Sequence, residues 1–129
     1  MDVKVDKVSD AEKMIRKMST EEIVKIVLPD KHKVEVEAKV DTGAWRSSID
    51  KTFADENGLL QKENILWTKV FKSALGIEER PVINLSFYLA GRRIDTVASV
   101  ANRKGLKKVF IIGRRDLQGF LVKVEEIIK

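Results

Sequence analysis

At 129 residues, with 43% hydrophobic and 35% charged side chains, the chain suits one compact domain with a real core and is too short for two ordinary ones. It contains no cysteine and one histidine, His32, which excludes disulfides, thiol nucleophiles and thiolate metal sites and leaves almost nothing for zinc or a Ser-His-Asp triad. The formal net charge of +5 is concentrated between Arg92 and Lys123, where nine basic residues meet two acids, Asp95 and Asp116; this reads either as solubilising surface charge or as an electropositive face for an acidic polypeptide or nucleic acid, and with only two phenylalanines in the stretch the support for single-strand stacking is weak.

The N-terminal stretch MDVKVDKVSDAEKM is charged throughout and has no apolar signal core, and no run approaches the ~20 apolar residues of a membrane span. Cytoplasmic residence without membrane association is the expectation. From Ser9 or Asp10, either of which suits an N-cap, Met14, Ile15 and Met18 recur at helical spacing. Residues 1–22 therefore read as a helical N-terminal extension, and residues 23–129 as the domain proper.

Beyond Ile23 the period shifts to that of strands. EIVKIVLP stops at Pro29, and DKHK supplies a turn in which His32 reads as a solvated loop residue. VEVEAKV then alternates Val34, Val36, Ala38 and Val40 on one face with charges on the other, delivering the chain into Asp41. Asp50 is placed to cap a short helix ending near Gly58. ILWTKVFK and RPVINLSFYL bracket a connection containing Gly76, which predicts a hairpin, with Pro81 suited to an edge. IDTVASVA and KVFIIG add further strands, RRDLQG a short helix or turn, and FLVKVEEII a last strand. Many short strands with tight turns and few helices predict a small, mostly β, closed barrel.

Alone, Asp41-Thr42-Gly43 reads as a turn in which the Asp side chain accepts from nearby N–H groups. Its context argues for more. The carboxylate emerges at the end of an apolar strand, a glycine-containing hairpin follows, and about seventy residues on comes VFIIGRRDL, with Ile111 and Ile112 ahead of Gly113. In this order the sequence resembles the retropepsin-like aspartic proteases, the single-lobed relatives of pepsin, over residues 23–124. VDTGA, the following SS, and IIGRRDLQGFLV are most similar to the cellular branch found beside RimK-type glutamate ligases and labelled ATP-dependent zinc proteases. The resemblance implies a peptidase without metal or other cofactor in spite of that label.

It further implies the roles. With one Asp-Thr-Gly in the chain, the second aspartate comes from a second copy, so the protein is expected to be a homodimer with an Asp41/Asp41′ dyad. Two carboxylates about 3 Å apart share one proton; the ionised partner activates a water and the protonated one polarises the scissile carbonyl. Thr42 braces the pair, and Gly43 lets the backbones approach. Ala44, Trp45 and Ile112 border the substrate channel, and Ser73, Ala74, Leu75, Gly76 and Ile77 form the flap tip. The strand FLVKVEEIIK resembles a dimer interface. Trp45 stands where viral relatives carry an acid that pairs with the arginine after the second glycine, so Arg114 needs another partner, for which Asp50 and Asp116 are candidates. The expected activity is endopeptidase cleavage, with acidic peptides the attractive substrate class; the competing reading is a catalytically silent binding or dimerisation module of the same fold.

Overall fold

The computed structural model of the chain describes residues 16–18, 20–102 and 108–122. Among these, β1 (Arg16–Met18) and β9 (Phe120–Val122) form a two-stranded parallel sheet. The others are β2 (Glu21–Val27), β3 (Lys33–Asp41), β4 (Ser48–Asp50), β5 (Ile65–Ser73), β6 (Gly76–Leu89), β7 (Arg92–Ala101) and β8 (Phe110–Gly113). They run in the order β2-β3-β8-β4-β7-β6-β5, and the inner end of β6 also pairs with β2, from Val24↔Leu89 to Val27↔Ser86. That extra pairing closes a six-stranded barrel and leaves β5 outside it. No helix among the described residues is long and apolar enough to cross a membrane.

The hairpin β2–β3 follows from its period. Val24 and Ile26 point inward, as do Ala38 and Val40, while Lys25, Lys39 and the β3 glutamates face solvent. Its turn is closed by the Leu28 N–H donating to the His32 carbonyl at 2.7 Å, with Lys31 at φ 74°. His32 is exposed and takes Asp30 as its partner at 2.7 Å. The inward faces of β2, β3, β6, β7 and β8 meet around Phe87 and Phe110, whose rings pack edge to face with centroids 5.0 Å apart. Each large apolar side chain buried there contributes about 1.5–3 kcal/mol.

Asp50 caps helix α1 (Lys51–Glu56), accepting from the Phe53 N–H at 3.0 Å. Beyond Val82 toward its tip, β6 leaves β7 and keeps only β5 as neighbour, so the hairpin projects away from the barrel. Pro81 sits at that departure, where its missing N–H has no second strand to serve.

Two boundaries differ from expectation. Helix was expected through residue 22, whereas Arg16–Met18 is strand and β2 begins at Glu21; residues 1–15 and 19 lie outside those described. Pairing across the fold overrides the helical spacing there, because the edge of β9 and the side of β3 offer backbone partners that a helix would forgo. Of the last predicted strand, Phe120–Val122 is β9, and the remainder lies outside the described residues.

Candidate active site

Asp41 is the last residue of β3 and the direct register partner of Gly113, the last residue of the parallel strand β8. Val40 and Ile112 are likewise partners, and both side chains enter the core. By alternation Asp41 lies on the other face, together with Lys39 and Ile111. The carboxylate therefore leaves the strand end beside the core without entering it, and is half-buried.

The turn after it holds the carboxylate in place. The Gly43 N–H donates to Asp41 Oδ1 at 3.0 Å, and the Ala44 N–H to the Asp41 carbonyl at 3.2 Å. This is the ordinary Asx turn, and it leaves Oδ2 uncommitted among the described residues. A Cβ at position 43 would lie 3.2 Å from Oδ1, close enough to disturb that bond. Thr42 and Gly43 are exposed in the single chain.

The loop then crosses the end of β8 and is locked to it. The Arg114 N–H donates to the Ala44 carbonyl at 2.7 Å and the Arg115 N–H to the Trp45 carbonyl at 2.9 Å. At the crossing, a Cβ on Gly113 would sit 2.5 Å from the Arg46 carbonyl carbon and 2.7 Å from the Trp45 oxygen. Backbone cannot yield as a side-chain tip can, so only glycine fits there. Beneath the crossing is Ser47, fully buried, whose hydroxyl accepts from the Gly113 N–H at 3.0 Å and donates to Asp116 Oδ2 at 2.5 Å. Asp116 lies in the 3-10 turn Arg114–Leu117 and is itself buried. Sequence reasoning missed this pair as a unit; the serine directly ahead of a buried strand was its only trace.

Arg114 does not pair with Asp50 or Asp116. Its Nη1 donates to the Thr42 carbonyl at 3.0 Å, and its guanidinium lies 5.4 Å from the centroid of the Trp45 ring. Trp45 thus meets the arginine with a π face where an acid was expected to supply a charge. Its ring stays 53% exposed. Arg46, the next residue, reaches the Trp67 ring at the base of the hairpin, 5.3 Å from its centroid.

Of the expected substrate-facing residues, Ala44 and Trp45 lie on this loop, and Ser73, Ala74, Leu75, Gly76 and Ile77 cap the hairpin. Ser73 and Gly76 are its last register pair, the Leu75 side chain is 100% exposed and Ile77 is 70% exposed. Ile112 is a correction: it is sealed in the core beside Val40, and period-two alternation makes Ile111 the isoleucine that shares the face of Asp41.

Among the described residues the donor set around Asp41 does not suit zinc. Asp41 is the single carboxylate of its loop, Asp116 is tied to Ser47 inside the protein, and His32 lies in the β2–β3 turn bonded to Asp30. Nor is Ser47 a nucleophile: it is fully buried, and its only proton is directed at Asp116.

No protein family and no curated protein matches the sequence itself. Solved structures do. A Legionella pneumophila protein of unknown function, Lpg0085 (DUF785), is similar with a TM-score of 0.53 and 16% identity, covering 84% of this chain and 92% of its own. The simian foamy virus protease is similar with a TM-score of 0.55 and 16% identity, covering 75% of this chain and 90% of its own. The retroviral protease-like domain of Ddi1 from Leishmania major gives a TM-score of 0.47 at 24% identity, covering 77% of this chain and 76% of its own. The closed barrel, the strand-end Asp-Thr-Gly and the projecting hairpin together are a retropepsin-like aspartic protease fold.

Proposed function

We propose that the chain is a homodimeric aspartic endopeptidase whose dyad is Asp41 from each of two copies. The observation that carries this reading is the posture of Asp41: Oδ1 is held by the Gly43 N–H, Oδ2 is free among the described residues, and the exposed Thr42-Gly43 turn leaves room for a second copy. In a dimer one carboxylate of the pair takes a proton from a water as the water's oxygen bonds to the scissile carbonyl carbon. The other donates its proton to the carbonyl oxygen, giving a gem-diol. When this collapses, one diol hydroxyl returns its proton to the ionised carboxylate, the C–N bond breaks, and the amine leaves with the proton of the other carboxyl, so the dyad again carries one proton. Thr42 braces the two loops across the axis, and Gly43 permits their close approach. The paired strands β1 and β9 provide backbone edges on which the partner's termini can add.

The hairpin tip, Ser73 to Ile77, closes over an extended peptide, and its exposed Leu75 and Ile77 supply apolar contact. Ala44, Trp45 and Ile111 border the channel beneath. Within the fold, the reading assigns the chain to the cellular branch named above, on the strength of VDTGA, the Ser47-Ser48 pair and IIGRRDLQG, and locates it in the cytoplasm. Digestion of a peptide library by the wild type and by Asp41→Asn tests it: cleavage by the first and none by the second is expected.

The exposed Trp45 ring beside Asp41 favours one other reading, a binding module of the same fold that does not cut. It predicts peptide capture that is indifferent to Asp41→Asn, with no product from either protein.

A further inference from the structure

Arg46 sits five residues beyond Asp41 and has a charge that the described residues leave unmatched. Arg80 is bonded to Glu78, Arg93 to Asp95, Arg92 to the Gln118 carbonyl and Arg114 to the Thr42 carbonyl. Arg46 has no acid within reach among the described residues, and its Nε is buried without a hydrogen-bond partner. Its guanidinium instead lies 5.3 Å from the centroid of the Trp67 ring, which stays 44% exposed at the base of the hairpin. An N–H donor withdrawn from water without an acceptor costs free energy, and the cost is relieved when a ligand brings the acceptor. A guanidinium beside a ring keeps the planar set of N–H groups that bonds a carboxylate through two parallel hydrogen bonds.

We infer that Arg46, backed by Trp67, is a specificity subsite that receives an acidic side chain of the peptide held between the Asp41 loop and the hairpin. The inference rests on the peptidase reading and names its substrate class. The position suits a substrate side chain: the Arg46 backbone crosses Gly113, the register partner of Asp41, so the side chain starts from a fixed point beside the strand end that carries Asp41. An extended peptide turns alternate side chains to the same wall, so one acidic residue is read while its neighbours face elsewhere. In the proposed dimer the two-fold axis repeats Arg46, and the acid preference recurs once on each side of the cut bond.

The test uses full-length protein and matched peptides that differ only in Glu, Gln or Lys at each position around the cut. Wild type is expected to favour Glu over Gln by about tenfold or more at one position on each side, the value of a charge-assisted bond. Arg46→Gln brings that ratio near unity, Arg46→Lys keeps its sign, and Arg46→Glu turns the preference toward Lys; Trp67→Leu weakens it, and circular dichroism confirms that each variant is folded. Equal cutting of Glu and Gln peptides by wild type, or a Glu preference that survives Arg46→Gln, overturns the subsite and leaves the peptidase reading standing. If no peptide is cut, fluorescence anisotropy with the same peptides on Asp41→Asn protein decides. Tighter, Arg46-dependent binding of Glu peptides then upholds the subsite while the peptidase reading falls, and equal binding of Glu and Gln peptides overturns both.

Discussion

Asp41 and Gly113 are register partners at the ends of two parallel strands, and the loop that follows Asp41 crosses directly over Gly113. The carboxylate and the glycine are one device: the glycine's missing side chain is the space through which the Asp41 loop passes. Gly113→Ala is therefore expected to do more than an ordinary loop substitution, because its Cβ would lie 2.5 Å from the Arg46 carbonyl carbon. A loss of about 3 kcal/mol in urea unfolding is expected, from overpacking against backbone. A variant as stable as wild type contradicts the interlock.

Ser47 and Asp116 hold the same crossing from below. Ser47→Ala leaves the buried Asp116 carboxylate and the Gly113 N–H each short of a partner, at a cost of about 2–3 kcal/mol. Ser47→Thr retains the hydroxyl and is expected to lose less, provided its methyl group is accommodated. The two denaturation midpoints check this, and equal losses would show that the hydroxyl is not what matters.

The Trp45–Arg114 contact replaces an ion pair with a ring. Trp45→Leu removes the π face and is expected to cost about 0.5–1 kcal/mol, and Arg114→Met in that background then costs only the bond to the Thr42 carbonyl. A double-mutant cycle reads the coupling directly. Because the ring does not titrate, that coupling stays the same between neutral and mildly acidic pH, unlike that of a carboxylate.

Surface carboxylates add to the acid sensitivity of the fold. Lys108 holds Glu37 below its usual range, Arg80 does the same for Glu78, Ser86 and then Arg93 for Asp95, and His32 for Asp30. A carboxylate depressed in the folded state contributes stability above its unfolded value and loses it as pH falls through the folded one. Melting temperature should thus hold from neutrality to about pH 5 and decline below about pH 4. All four groups are exposed, so each contribution is small and weakens with added salt. Glu37→Gln should flatten part of the decline, and melting temperature rising on acidification would contradict the assignment.

Much of this was legible in the sequence where local pattern and fold agree. The alternation from Val34 to Val40, the turn at DKHK, the Asp50 cap and the Gly76 hairpin are all present as expected. The link between Asp41 and Gly113 was legible as a motif pair separated by a hairpin. What escaped depends on contacts between distant segments. Arg16–Met18 is strand because β9 lies beside it, which helical spacing cannot show. Ile111 and Ile112 are chemically alike, and only register with Val40 decides which of them enters the core. Arg46, Arg80, Arg92 and Arg114 each lie over a ring in space, and for Arg80, Arg92 and Arg114 that ring comes from a residue well removed along the chain.

The most direct measurement is peptide-library digestion by wild type and Asp41→Asn, across about pH 3 to 8, with mass in solution recorded for both. The account predicts a dimer, cleavage by wild type that peaks where the dyad carries one proton, and no cleavage by Asp41→Asn despite an unchanged mass. Equal cleavage by the two proteins, or cleavage by a strictly monomeric wild type, would contradict it.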